Sequence, residues 1–131
     1  MNRHVRVMMA TDLDVLAVVV FVLAGRRTHD EGLTVAGVAG VAAPFLIALA
    51  VGWVVLRAWR RPFDPAIGLG LAVITVALGM VLRNLAWDRG TATSFVIVAA
   101  IMVGGLLVAW RALATALLDR SPRHRPPTGG W

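Results

Sequence analysis

The sequence predicts an all-α integral membrane protein that folds as a four-helix antiparallel bundle, and three observations lead to that prediction. The 131 residues are 59% hydrophobic and only 15% charged, with a mean hydropathy of +0.79, which is outside the usual range of soluble domains. Four apolar runs each approach the length that crosses about 30 Å of hydrocarbon at about 1.5 Å per helical residue. The short alternating segments typical of a membrane β-barrel are not visible.

The four runs are predicted to form one transmembrane domain, residues 1–118. Its helices are expected at about residues 8–26, 33–57, 67–87 and 92–111, with an extension of the last helix to 118 as an alternative. Residues 119–131 are rich in proline and arginine, which predicts a disordered cytoplasmic tail. Pro44 lies near the middle of the second run, where it removes a backbone N–H and predicts a kink.

All 13 basic residues are arginines, and their distribution predicts how the chain crosses the membrane. Nine lie in the N-terminal segment, the connection between the second and third runs, and the C-terminal region; four lie around the other two connections. Arginines are concentrated on the cytoplasmic side of membrane proteins, so both termini are expected there. The absence of lysine beside abundant alanine, valine and glycine is typical of GC-rich bacterial genomes. We therefore expect a multi-pass protein of the bacterial inner membrane.

The stretch Gly25–Gly32, GRRTHDEG, is predicted to face outward between the first two helices. Arg26, Arg27 and His29, together with Arg83 at the outer end of the third run, are candidate ligands for a small anion or a lipid headgroup. A solvated turn whose arginines reach lipid phosphates explains the same residues. One histidine beside two acids lacks a recognised metal-ligand spacing, and no catalytic or phosphate-binding motif is present. We therefore expect no metal, no cofactor and no enzymatic activity.

Two aspartates interrupt the first apolar run, and helical geometry distinguishes them. Asp14 shares a face with small residues such as Ala10 and Ala17, whereas Asp12 falls nearly opposite, beside bulky apolar residues. Three interpretations of Asp14 stay open. The spacing Thr11-x-x-Asp14 resembles a capping box at a helix N-terminus, an interior carboxylate could form a structural ion pair, and it could carry a proton or ion.

The predicted topology decides which charges can meet. Arg57 and Arg111, at the inner ends of the second and fourth helices, are the expected partners of the helix 1 acids, because a charge within the bilayer is costly unless it is paired. Arg83 lies at the opposite end and is expected to meet Asp30 or Glu31. Tryptophans are expected in the interfacial aromatic belts. Trp53, Trp59 and Trp110 are assigned to the inner belt and Trp87 to the outer belt.

Several short motifs together resemble domain-of-unknown-function family 3054, a family of small membrane proteins common in actinobacteria. The motifs are GRRTHDEG, Ala43-Pro44-Phe45, Gly52-Trp53, Gly79-Met80-x-x-Arg83, Ser94-Phe95-Val96 and Trp110-Arg111. The resemblance extends from about Asp12 to Arg111 and implies no established activity. By analogy, the recurrent polar and proline positions of the family fall on Asp14 (or Asp12), Arg26, His29, Pro44, Arg83 and Arg111.

Two functional hypotheses follow from this sequence. The first is a non-enzymatic accessory or scaffold component of a membrane complex, with small-residue helix faces as contact surfaces. The second is a small oligomeric transporter or channel for a proton, an ion or a small solute, lined by Asp14, His29 and Arg83. Both hypotheses place the chain in the lipid bilayer, as a homo-oligomer or in a larger complex. A nucleic-acid partner is not expected, because no basic face with interleaved aromatic residues is present.

Overall fold

A computed structural model describes residues 1–28, 34–86 and 93–120, and this part of the chain is almost entirely helical. The helices are α1 (Arg3–Thr28), α2 (Val35–Leu56), α3 (Pro65–Ala86) and α4 (Thr93–Asp119), and a 3-10 turn (Ala58–Arg60) follows α2. All four helices are long and apolar enough to cross a membrane. The prediction of an all-α bundle is confirmed, and the four apolar helices indicate a multi-pass membrane protein.

The helices are arranged so that each packs antiparallel to its neighbour in sequence, and α1 also packs against α4. Between α2 and α3, Gly52 lies beside Leu71 and Gly79 lies against the Phe45 ring, so residue numbers rise along one helix as they fall along the other. Between α3 and α4, Gly68 lies against the Leu107 carbonyl and Gly104 lies beside Ala72, which gives the same antiparallel order.

The bundle interior is filled by aliphatic and aromatic side chains from all four helices. Phe21 of α1 and Phe45 of α2 pack edge to face with ring centroids 5.7 Å apart, an arrangement that aromatic pairs favour. Other large side chains with less than 2% exposure come from α1, α3 and α4, namely Val18, Val22, Leu71, Val103 and Leu107. Many valines, leucines and isoleucines point outward instead, as expected of a surface that meets lipid acyl chains.

Capping residues set the helix starts, and two helices begin earlier than the sequence analysis expected. The Asn2 side chain accepts a hydrogen bond from the His4 N–H, and α1 begins at Arg3. Asp64 accepts one from the Ala66 N–H, and Pro65 occupies the first helical position of α3, where a missing N–H costs nothing. These are ordinary N-terminal signals that hydropathy alone does not register.

The start of α1 also overturns the capping-box interpretation of Thr11-x-x-Asp14. Both residues lie in the interior of α1, because the helix begins eight residues before Thr11, at Arg3. The Thr11 hydroxyl donates to the Val7 carbonyl, 2.8 Å away and one turn earlier, which is the bond of a mid-helix threonine. Of the three interpretations, the capping interpretation was therefore wrong.

The start and end of α2 and the end of α4 are also defined by the structure. At its start, the Thr34 hydroxyl of α2 accepts a hydrogen bond from the Gly37 N–H. The helix contains Pro44, which is buried, and it ends at Leu56 because Arg57 adopts the left-handed conformation with φ 50° and ψ 50°. The last helix, α4, continues without a break to Asp119. The predicted tail beyond residue 120 lies outside the described residues.

Candidate functional site

The main polar feature inside the bundle is an ion pair between Asp14 of α1 and Arg111 of α4. The guanidinium Nη1 and Nη2 atoms lie 2.7 Å from Oδ1 and Oδ2 of the carboxylate, so the contact is bidentate. Both side chains are fully buried, and no other charged side chain is buried among residues 1–25, 34–85 and 96–120. A charge in such surroundings requires a partner with good geometry, and each residue provides it for the other.

Two indole groups complete the coordination of the carboxylate. The Nε1 atom of Trp53, on α2, donates to Oδ2 at 2.9 Å, and the Nε1 atom of Trp110, on α4, donates to Oδ1 at 2.9 Å. Each carboxylate oxygen therefore accepts two N–H bonds. We call the residues Asp14, Trp53, Trp110 and Arg111 the Asp14 cluster.

The guanidinium of Arg111 makes further bonds to the protein backbone. Its Nε donates to the Pro62 carbonyl at 2.9 Å, and its Nη1 donates to the Leu107 carbonyl at 3.0 Å. The guanidinium carbon also lies 4.3 Å from the Trp110 ring centroid, a distance at which a cation and an aromatic ring attract each other. Arg111 thereby joins α1, α4 and the connection between α2 and α3.

Regular helix periodicity brings these side chains together. On α4, Ala99, Val103, Leu107 and Arg111 are spaced four residues apart and all are fully buried. On α1, the buried face comprises Ala10, Asp14, Ala17, Val18 and Phe21. Residues three and four apart lie on one face of a helix. The two charges thus occupy interior positions of otherwise apolar stripes, where they face each other.

Gly68 of α3 leaves the space that the Arg111 side chain occupies. A Cβ atom at this position would lie 2.8 Å from the Leu107 carbonyl oxygen and 2.9 Å from Arg111 Cδ. Ordinary carbon contacts are about 3.5 Å or longer, so any side chain here forces a shift of backbone or of the arginine stem. A glycine is therefore required for α3 to pack this closely against the cluster.

The connection between α2 and α3 is fixed against the same end of the bundle. Phe63 packs edge to face on Trp110, with ring centroids 5.6 Å apart. The Arg6 guanidinium lies 5.7 Å from the centroid of the Phe63 ring. The Phe63 carbonyl accepts a hydrogen bond from the Thr115 hydroxyl at 3.2 Å. The N-terminal part of α1, through Arg6, and the C-terminal part of α4, through Thr115, thus both contact the connection.

The structure distinguishes between the expected partners of the helix 1 acids. Arg111 contacts Asp14, whereas Arg57 is exposed at the end of α2 and is not among the groups bonded to this carboxylate. Asp12 is exposed, in line with its position on the opposite face of α1. Topology placed both arginines at the correct end, and only the three-dimensional packing selected one of them.

The candidate ligand set at the other end is only partly described. Arg26 and Arg27 belong to the last turn of α1, so their backbone is helical and not part of a loop. Arg83 is half-buried in the last turn of α3. His29, Asp30 and Glu31 lie outside the described residues, so a joint site with Arg83 stays a prediction.

Sequence reasoning missed the role of two tryptophans. Trp53 and Trp110 had been assigned to an aromatic belt, but their indole N–H groups point inward at the Asp14 carboxylate. Trp59, in contrast, is 37% exposed. Two sequence positions could have indicated this role: Trp110 directly precedes Arg111, and Trp53 lies one turn before the end of α2. A buried indole N–H at either position usually finds an acceptor.

The chemistry of the cluster follows from its saturation. A carboxylate has about four lone-pair sites, and four N–H donors from three side chains fill them here. No acceptor position remains for a metal ion, a substrate or a mobile proton in this arrangement. The cluster links α1, α2, α4 and the connection between α2 and α3 through hydrogen bonds.

The model of a family described as "Protein of unknown function (DUF3054)" matches residues 12–114 of this chain. The match includes the Asp14 cluster, the whole of α2 and α3, and most of α1 and α4. Comparisons with curated proteins and with solved structures found no match.

Proposed function

The chain belongs to the DUF3054 family, and from that premise we propose that it is a non-enzymatic accessory or scaffold component of a bacterial membrane complex. The observation that carries the proposal is the saturation of Asp14, whose two oxygens accept four N–H bonds from Trp53, Trp110 and Arg111. A carboxylate that carries protons or ions must open to exchange them. This one is held closed by residues from two other helices.

The outer surface of α2 supports a role in assembly. Ala36, Ala39 and Gly40 are exposed, and a Cβ atom at Gly40 would meet no other atom within 4 Å. Small residues allow another helix backbone to approach closely in lipid, where no hydrophobic effect drives association. Within the protomer, by comparison, Gly52, Gly68 and Gly79 already serve this purpose. We therefore propose that the Ala36–Gly40 face contacts a partner helix.

Affinity purification in a mild detergent tests this proposal. The tagged full-length protein is expected to recover a defined second protein in fixed stoichiometry. Gly40→Leu is expected to lose most of that partner, because the added side chain keeps the other helix away. Gly105→Leu, at another helical glycine with open space around it, serves as the control and should retain the partner. Recovery of a self-oligomer alone would contradict an accessory role.

We also propose that the Asp14 cluster lies at the cytoplasmic end of the bundle, so that both termini are cytoplasmic. The described arginines at that end are Arg3, Arg6, Arg57, Arg60, Arg61, Arg111 and Arg120. Such an excess of arginine marks the cytoplasmic side. In this orientation, GRRTHDEG lies on the outer side of the membrane.

Single cysteines test the orientation, because the chain has none of its own. In intact cells, Thr28→Cys is expected to react with a membrane-impermeant maleimide. The exposed Arg61→Cys is expected to react only after lysis. The reverse pattern would show that the bundle is inserted the other way.

A further inference from the structure

The connection between α2 and α3 presents arginines whose charge is largely unpaired among the described residues. Arg57 and Arg60 are exposed, and neither has an ion-pair partner among the described residues. The neighbouring Arg61 approaches Asp64 only to 3.8 Å, and its side chain is 76% exposed. A weak, exposed contact of this kind leaves most of the positive charge available. Trp59 lies between these arginines and is 37% exposed.

The backbone at Arg57 is unusual for an arginine. Its φ of 50° and ψ of 50° are left-handed, and it is the only described non-glycine residue with a positive φ. Its N–H approaches the Trp53 and Val54 carbonyls and so ends α2. Glycine adopts this helix-ending conformation with the least strain. An arginine therefore occupies a position where the backbone conformation favours glycine. This strain indicates that the guanidinium of Arg57 has a role of its own.

The same connection is rigidly mounted. Ala58 is fully buried, the Pro62 carbonyl accepts a bond from Arg111, and the Phe63 carbonyl accepts one from Thr115. Arg57 and Arg60 are thus carried by a segment that is fixed to α4. Cations on such a segment lose less conformational entropy on binding than cations on a free loop.

The location of the connection identifies the chemistry of the ligand. The membrane-spanning part of α2 ends at Leu56 and that of α3 begins at Pro65, so the arginines lie at the level of the lipid headgroups. Val54 and Val55, which lie three and two residues before Arg57, are 66% and 64% exposed and offer an apolar surface to acyl chains. A ligand that meets both surfaces must carry an anionic group and a hydrocarbon chain.

We propose that this connection binds the phosphate of an anionic phospholipid. Arg57 and Arg60 hold the phosphate oxygens, for which the guanidinium fork is well suited. Trp59 lies at the interface beside them, where an indole has both apolar and polar surroundings. This site is separate from the arginines at the opposite end of the bundle and independent of any partner protein.

Lipid retention measured on the full-length protein tests this proposal. The protein is purified in neutral detergent, supplied with equal amounts of phosphatidylglycerol and phosphatidylcholine, and analysed by native mass spectrometry. Wild type is expected to retain phosphatidylglycerol preferentially. The double variant Arg57→Gly/Arg60→Gln is expected to weaken the binding of phosphatidylglycerol by roughly tenfold or more. Each arginine near an anionic lipid surface strengthens lipid binding by a similar factor, and the variant removes two of them. Glycine at position 57 fits the left-handed backbone, so the fold should be kept.

A matched double variant controls for charge alone. Arg3→Gln/Arg120→Gln removes the same charge from exposed positions at the same end of the bundle, and it is expected to bind like wild type to within about twofold. Equal losses in both double variants would overturn the proposal in favour of a general effect of charge. So would equal retention of the two lipids by wild type. If the first double variant fails to fold, the single variant Arg60→Gln provides the test, because the Arg60 side chain is exposed and has no ion-pair partner among the described residues. Arg60→Gln must still lower the retention of phosphatidylglycerol.

A soluble competitor distinguishes the lipid from a free anion. Inorganic phosphate at the same concentration as the lipid is expected to leave phosphatidylglycerol retention unchanged, because it lacks the acyl chains that reach Val54 and Val55. Displacement of the lipid by phosphate would instead identify a soluble anion as the ligand and overturn the proposal.

Discussion

Arg111→Met is expected to lower the free energy of unfolding by about 3–5 kcal/mol, the usual effect of removing one partner from a buried ion pair. Methionine is similar in length, so the apolar part of the side chain is largely kept. The loss arises because Asp14, with no exposed surface, keeps its two indole donors but loses both guanidinium bonds. The Pro62 carbonyl also loses its donor. Equilibrium unfolding in mixed micelles measures the change.

Two further variants separate pairing from packing. The double variant Asp14→Leu/Arg111→Met removes both charges, and it is expected to recover most of the lost stability because no unpaired charge remains inside the bundle. Arg60→Met is the control for loss of an arginine, and it should change the free energy of unfolding by less than about 0.5 kcal/mol because Arg60 is exposed and has no ion-pair partner among the described residues. A double variant as unstable as Arg111→Met would contradict the ion-pair account.

Gly68→Ala is expected to destabilise the protein by about 1–3 kcal/mol, the usual range for overpacking a filled interior. The new methyl group would lie 2.8 Å from the Leu107 carbonyl oxygen and 2.9 Å from Arg111 Cδ. The first contact is with backbone, which cannot rotate away. Either α3 moves away from α4, or Arg111 loses its alignment with Asp14. Thermal unfolding measures the loss of stability. A shift in the tryptophan emission, to which Trp110 contributes, measures the displacement.

Gly105→Ala is the matched control, because it is also a glycine within a membrane-spanning helix. A Cβ atom there meets nothing within 4 Å, so alanine should be neutral or should stabilise α4 by about 0.5–1 kcal/mol through its higher helix propensity. Equal effects of the two substitutions would show that the space beside Arg111 is not limiting.

The bundle architecture was predictable because lipid makes strong demands on sequence. Helices in a bilayer must be long and apolar, and that requirement is visible in composition and run length alone. The face of α1 was also predictable, since Ala10, Asp14 and Ala17 share one side of a helix whatever its neighbours are. For that reason the distinction between buried Asp14 and exposed Asp12 could be drawn from spacing.

The rest depended on information that hydropathy and helical spacing do not contain. Arg57 and Arg111 both follow an apolar run, and only the left-handed turn at Arg57 and the space beside Gly68 decide which one enters the bundle. Trp53 resembled an interfacial tryptophan because the end of a helix is where such residues are common. The Thr11-x-x-Asp14 pattern resembles a capping box, and the sequence left that interpretation open because the true start of α1, after Asn2, is polar and lies outside the apolar run.

The central claim is that the Asp14 cluster connects helices and does not conduct. Proton flux into liposomes that contain the purified full-length protein tests it most directly. Wild type and the Asp14→Leu/Arg111→Met double variant, both checked for folding, are expected to give the flux of empty vesicles. A wild-type flux above that background, abolished in the folded double variant, would contradict the claim and identify Asp14 as part of a transport path.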